Sequence, residues 1–195
     1  IFRLLQQSGH CLFNPAADDE FQRHFIDGDM PAFDLAHILP EAAGVDAVLT
    51  GEIEVNTTTS GDQENSVIAM NRSTGDFVVV WEGQGSGDND GVFFRRFAAD
   101  ATALDAAERR VNTSDSGDEG NAAVAMDTSG RFVVAFDVNN HMYFQRFDAA
   151  GATQGSRTQV DNFASNSTGA AIAMDDAGNF TLVYREQNTF TGVWG

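Results

Sequence analysis

The residues best suited to chemistry in this chain lie in one short stretch, Ser86-Gly87-Asp88-Asn89-Asp90-Gly91. Oxygen-bearing side chains at alternate positions, closed by a glycine that allows a sharp turn, are what a calcium loop presents at its first six positions. Ser86, Asp88 and Asp90 are therefore the candidate metal ligands, with calcium as the ion. The twelfth position of such a loop carries a bidentate glutamate; here it is Phe97. The rival reading is a solvated Gly/Asp turn. The matching segment further along, Val138-Asn139-Asn140, is far shorter, so any calcium would be held weakly and by this loop alone.

Other polar residues recur without forming a catalytic set. Asp62 and Asp118 each follow a Ser-Gly pair. They read as ligands or, more simply, as turn caps that accept hydrogen bonds from nearby backbone amides. Arg96 and Arg146 each precede a phenylalanine. A guanidinium there suits a carboxylated glycan, or an ion pair between strands. His10, His24, His37 and His141 show no metal-ligand spacing. Sialidase-type turns, Ser-x-Asp-x-Gly-x-x-Trp, are not matched: Asp127 is three residues before Gly130, and Met174 and Thr181 stand where Ser and Trp would be. No catalytic residue and no cofactor site is assigned, and the expectation is a protein without enzymatic activity of its own.

The composition narrows the partners. The 195 residues carry 29 acidic and 11 basic side chains, a net charge of -18, and every basic residue is arginine. Such a chain repels nucleic acid and anionic membrane surfaces, so neither is expected as a partner. It suits high salt, divalent cations, or simply an acidic exported protein of a GC-rich genome. Cys11 is the only cysteine, so no internal disulfide forms. No apolar run is long enough for a membrane-spanning helix. The opening Ile1-Phe2-Arg3-Leu4-Leu5 lacks an initiator methionine and a full signal-peptide core, which places any export signal upstream.

The elements that position these residues come from a repeat. Copy one holds Ser66-Val67-Ile68-Ala69-Met70, then Gly75-Asp76-Phe77-Val78-Val79-Val80-Trp81. Copy two holds Ala122-Ala123-Val124-Ala125-Met126, then Gly130-Arg131-Phe132-Val133-Val134-Ala135-Phe136. Copy three holds Ala170-Ala171-Ile172-Ala173-Met174, then Gly178-Asn179-Phe180-Thr181-Leu182-Val183-Tyr184. Each reads as two strands joined by a glycine-closed turn. The second strand sets two aromatics four residues apart on one face, with apolar neighbours on the other. A third strand follows at Val92 to Phe97 and Met142 to Phe147, and begins again at Gly192 to Gly195. A short fourth strand surrounds Val111 and Val160, and Glu54-Val55-Asn56 fills the same slot ahead of copy one.

Four antiparallel strands in about 50 residues is the size of a propeller blade. The expected fold is all-β: antiparallel four-stranded blade-like repeats, an incomplete β-propeller, with a β-sandwich as the alternative. Two copies and part of a third cannot close a ring, so either more blades follow or copies associate between chains. Residues 1–50 stand outside the repeat as a leader or linker with short helices, over Ala16 to Ile26 and around Phe33 to Leu39. The repeat region is 51–195, with copies at about 52–108, 109–157 and 158–195.

The run Gly75 to Trp81, the Gly/Asp-rich Gly83 to Gly91, Arg146 to Gly151 and Val111 to Thr113 together resemble a tandem repeat of very large secreted bacterial proteins. The resemblance covers roughly residues 52–195. Those proteins often also carry cadherin-like or hemolysin-type calcium-binding repeats. It implies a secreted or cell-surface protein, structural or adhesive in role, with further repeats and an extracellular protein or glycan as partner. Copy three departs from it at Asn162-Phe163-Ala164. Two rivals remain: a calcium-dependent binding module, and a fragment of a glycan-active propeller enzyme.

Overall fold

The computed structural model describes residues 3–5, 52–111, 117, 119–161 and 166–187. The chain divides into two compact units, one of Ile1–Leu4 with Ile53–Gly195 and the other Leu5–Glu52. The helices expected over Ala16 to Ile26 and near Phe33 to Leu39 lie outside the described residues, as do Cys11, His10, His24 and His37.

The described residues are all-β, without a helix. No helix among them is long and apolar enough to cross a membrane. Strand β1 (Arg3–Leu5) pairs with β2 (Glu52–Glu54). Copy one then forms β3 (Gln63–Met70), β4 (Phe77–Gly85), β5 (Asp88–Phe97) and β6 (Arg109–Arg110). Copy two forms β7 (Glu119–Met126), β8 (Phe132–Val138), β9 (His141–Phe147) and β10 (Thr158–Gln159). Copy three contributes β11 (Asn166–Met174) and β12 (Phe180–Gln187). Each full copy is a four-stranded antiparallel sheet in chain order; among the described residues copy three is two-stranded, and the third strand expected from Gly192 to Gly195 lies outside them.

The three hairpins close their turns in the same way, the first over one more residue. Gly75, Gly130 and Gly178 all take positive φ, at 82°, 80° and 90°. Each donates its N–H back to the residue that opens the turn, Asn71, Asp127 or Asp175. The side chains of those openers accept amides from inside the turn, Ser73, Ser129 and Ala177 respectively. Asn, Asp and Asp thus do one job, which is the backbone mimicry that favours these residues in turns.

The sheets stack through the faces that the alternation assigns. Phe77 stacks on Phe97 at 5.2 Å and 12° between rings, and Phe132 on Phe147 at 4.8 Å and 11°. Trp81 lies 6.4 Å from Phe93, and Phe136 lies 6.3 Å from Tyr143. Between copies, Phe94 meets Phe132 edge-on at 5.3 Å and 68°. Phe144 meets Phe180 at 5.1 Å and 67°. The joint between copies one and two therefore recurs between copies two and three. Its core joins Val78, Val80, Val92 and Phe94 of one sheet to Phe132, Val134, Phe136 and Phe147 of the next. A second cluster, Val55, Phe77, Val79, Trp81, Phe93 and Phe97, lies on the opposite face of copy one.

Every residue of β8 is buried, so both faces of that sheet are covered. Burying an aromatic ring of this size is worth roughly 2 kcal/mol or more, before the loss of packing that its removal adds. Phe132→Ala should destabilise the protein by about 3 to 5 kcal/mol in urea unfolding. Phe180→Ala, at a half-buried position, should cost clearly less. Equal losses at the two positions would contradict the stack.

Candidate functional site

The Gly/Asp-rich stretch is an extended hairpin rather than a loop. Gly83 pairs with Gly91 and Gly85 with Asp88, so only Ser86 and Gly87 form the turn. The glycines make room for a ring: a Cβ on Gly85 would sit 2.4 Å from the Phe93 ring, and one on Gly91 3.0 Å from it. Asp88 accepts the Asp90 amide (3.2 Å) and an N–H of Arg110 (3.1 Å). Ser86 is exposed at the tip. Asp90 instead lines a neighbouring cleft. Among the described residues, no group of three or more His, Cys, Asp or Glu is placed to hold a metal ion.

That cleft, of 380 Å³, opens between copies one and two and is strongly acidic. Glu64, Glu82, Asp90, Glu119 and Asp137 line it, with Asn65 and Asn121 among the polar residues beside them. Its geometry comes from a bulge shared by all three copies. The ladders of β3, β7 and β11 each slip between Glu64 and Val67, Gly120 and Ala123, or Thr168 and Ala171. Asn65, Asn121 and Gly169 occupy these bulges with φ of 54°, 52° and 68°. Asparagine tolerates this left-handed conformation better than other side chains do, and glycine tolerates it best.

The bulge asparagines then hold carboxylates. The Asn65 side-chain amide donates to Glu82 Oε2 at 2.8 Å, and that of Asn121 to Asp137 Oδ2 at 2.7 Å. The other oxygen of Glu82 accepts the backbone N–H of Ala122 at 2.8 Å, across the joint to copy two. Glu82 is buried and ties the two sheets together. Copy three has Arg185 at this position, so the tie is not repeated from its far side. A readable signal existed for this network: asparagine five residues before Met70 and Met126, and a carboxylate five after Phe77 and Phe132.

Arg96, a candidate glycan contact, is turned into the joint. Its Nε and backbone N–H both donate to Asp105 Oδ2 (2.9 and 3.0 Å), and Nη2 reaches Oδ1 at 2.7 Å. Its remaining nitrogen donates to the carbonyl of Ala149 in copy two. Burial pushes the Asp105 carboxyl up, but the hydrogen bonds from Arg96 and the charges of Arg96 and Arg109 outweigh it and hold the group below its ordinary range. Gly155 stands in copy two where Asp105 stands in copy one, and Arg146 is exposed. Asp62 offers its backbone carbonyl to Gln84 (2.9 Å), and Asp118 lies outside the described residues. His141 lies beside Asp161, with Nδ1 at 3.4 Å from Oδ2.

A third carboxylate, Glu108, closes the entry to copy one. It accepts the backbone amides and the hydroxyls of Thr57 and Thr58. Burial raises its pKa, and these four hydrogen bonds overcome that and lower it from 4.5 to about 2. The residues brought together are thus mostly structural: carboxylates that lock sheets, with a concave negative field left between them that attracts cations. The chain matches no protein-family model, and no curated protein or solved structure matches it significantly.

Two tests address these ties. Glu82→Ala leaves the Ala122 N–H and the Asn65 amide without their acceptor and should cost about 1 to 3 kcal/mol in urea unfolding. Asp90→Asn, on the rim, should stay within about 0.5 kcal/mol. Glu82→Ala within that same margin would show that the tie carries no stability. Glu108 is ionised more readily when folded than when unfolded. Its contribution is complete above about pH 4.5 and disappears as pH falls through about 2. Melting temperature should therefore fall less steeply between pH 4.5 and 2 in Glu108→Gln than in the parent chain, and an identical fall would remove Glu108 from the acid response.

Proposed function

We propose that this chain is a structural or adhesive repeat module of a secreted or cell-surface protein, its sheets serving as propeller-type blades that display loops and an acidic cleft. The observation that carries this reading is the recurrence of one inter-copy joint, edge-on aromatic contacts at 5.3 Å and 5.1 Å with nearly equal ring angles. A frame that repeats one joint is built to extend and present a surface, with each unit held by its neighbours. The positions that the copies share are spent on packing and on the glycine-closed turns. The hairpin between the second and third strands carries variation in length, as binding loops on rigid scaffolds do.

The strongly negative surface sets the kind of partner. A net charge of -18 favours a cationic or neutral protein surface or glycan over a polyanion. The candidate calcium ligands Ser86, Asp88 and Asp90 bear on the rival binding mode, in which a cation bridges the rim of the cleft to its partner.

Two measurements test the reading. Protease treatment of intact cells that make the parent protein should release fragments of this repeat while a cytoplasmic reporter stays whole. Retention of the repeat inside shaved cells would overturn the extracellular assignment. Beads coated with the chain should bind a defined extracellular protein or glycan on an array in the presence of a calcium chelator. Binding only when calcium is restored favours the calcium-dependent rival, and turnover of an arrayed glycan favours the enzyme.

A further inference from the structure

We propose that the two ends of the sheet stack are complementary surfaces that join head to tail between two copies of this chain. The inference rests on the packing of the sheets and is independent of where the protein works.

Strand alternation gives each sheet two unlike faces. One face carries the paired aromatics of the second strand and, across the ladder, two large residues of the first. In copy one Ile68 pairs with Val79 and Met70 with Phe77. In copy two Val124 pairs with Val134 and Met126 with Phe132. The other face carries smaller residues: Val67, Ala69, Val78 and Val80 in copy one, and Ala171, Ala173, Thr181 and Val183 in copy three. Inside the chain the two kinds of face meet. Val124 and Met126 pack into the core that includes Val67, Ala69, Val78 and Val80.

Among the described residues the end surfaces stay partly open: Ile53 of β2 and Val55 pack with the aromatic strand of copy one, while the first-strand residues beside it are exposed. Val183 is 58% exposed, whereas Val80 and Ala135 at the matching positions are fully buried. Ile68 and Met70 are each 49% exposed. These three are among only four exposed large hydrophobic residues in the described part of the chain; the fourth, Leu104, lies in the segment between β5 and β6. The open small-residue face and the open Ile68–Met70 edge are thus counterparts of surfaces that meet inside the chain, without the aromatic strand, which is already covered.

A second copy of the chain supplies the missing half at either end. The contact is heterologous, with the Val183 face of one chain against the Ile68–Met70 edge of another. Phe77, Val79 and Trp81 are already buried within the chain, so the new joint uses only the inner part of the aromatic face. It is smaller than the internal joints, and it must form against the repulsion of two chains of charge -18. Salt should therefore strengthen it, because screening acts on the exposed charges and leaves the apolar contact intact.

Sedimentation of the full chain across a concentration series, in low salt and in about 1 M salt, tests this. The weight-average mass should rise from 21.0 kDa toward at least twice that value in high salt. Val183→Asp and Met70→Glu should each abolish the rise, and Leu104→Asp should leave it unchanged. Mixing the Val183→Asp and Met70→Glu chains should restore association, since each retains the half that the other lost. A chain that stays at 21.0 kDa at every concentration in high salt overturns the proposal. So does association that survives Val183→Asp, or that survives Met70→Glu, which would mean two Val183 faces meeting directly. Where circular dichroism shows a variant misfolded, Val183→Ser and Met70→Gln take its place with the same expected outcomes.

Discussion

The sheet of copy two is apolar on both sides, so it is stable only with another layer on each face. This constraint is visible in β8, where seven consecutive residues are buried, and in the six residues Phe77 to Glu82 of β4. A strand of that kind in a solitary hairpin would leave half its side chains in water. Neighbouring copies remove the cost by facing unlike surfaces toward each other, aromatics against valines. The energy of the fold is therefore held in the joints between units as much as in the units themselves, as in other repeat architectures. The pattern of burial follows: copy two, with a sheet on both sides, is the most completely covered, and β12 of copy three alternates between half-buried and exposed.

Apolar joints of this sort slide unless something fixes their register, and here carboxylates do so. Glu82 bridges a bulge asparagine of its own sheet and a backbone amide of the next. Asp105 locks Arg96, whose free end then reaches a carbonyl of copy two. Arg131 repeats the arrangement, held by Asp127 at 2.7 Å and donating to the Ala177 carbonyl of copy three at 3.0 Å. Burying a charge is tolerable only when donors surround it. The forked guanidinium can satisfy a carboxylate and a carbonyl at once, which a lysine ammonium does with less geometric control. The arginine-only composition thus has a structural use in these joints, whatever the codon bias of the source.

Much of the frame is legible in the amino-acid sequence. The Met-turn-Gly-x-Phe pattern located all three hairpins, the one-residue-longer first turn, and the aromatics that share a face. Period-two alternation is a direct projection of backbone geometry, so it survives translation into structure. The Gly83 to Gly91 stretch was harder. Glycine and aspartate announce a loop, yet here the glycines serve a close approach by the Phe93 ring, and the ladder runs on to a two-residue turn. That contact joins residues whose relation is set by pairing register, which composition does not encode. The partner of Arg96 was open for a similar reason: Asp105 lies nine residues away, in an irregular segment with no periodicity to place it. The bulges were signalled by Asn65 and Asn121 alone, and the third by a glycine, so the shared conformation hid behind different residue types.

Where the copies differ is as informative as where they agree. Strands, turns and joints recur almost unchanged from copy one to copy two, but the hairpin between the second and third strands does not. In copy one it projects past Gly83 to a Ser86-Gly87 tip, whereas in copy two it ends at once on Asn139 and Asn140, with φ of 50° and 64°. The left-handed pair is what a tight two-residue hairpin turn demands. The longer arm of copy one carries Asp90 to the rim of the acidic cleft, and Asn139 and Asn140 line the same cleft from the other side. A place where the repeat changes its length is therefore also a place where its charge is concentrated and open to solvent. A frame under uniform packing constraint and a rim free of that constraint is the division expected when neighbours determine the core and partners determine the edge.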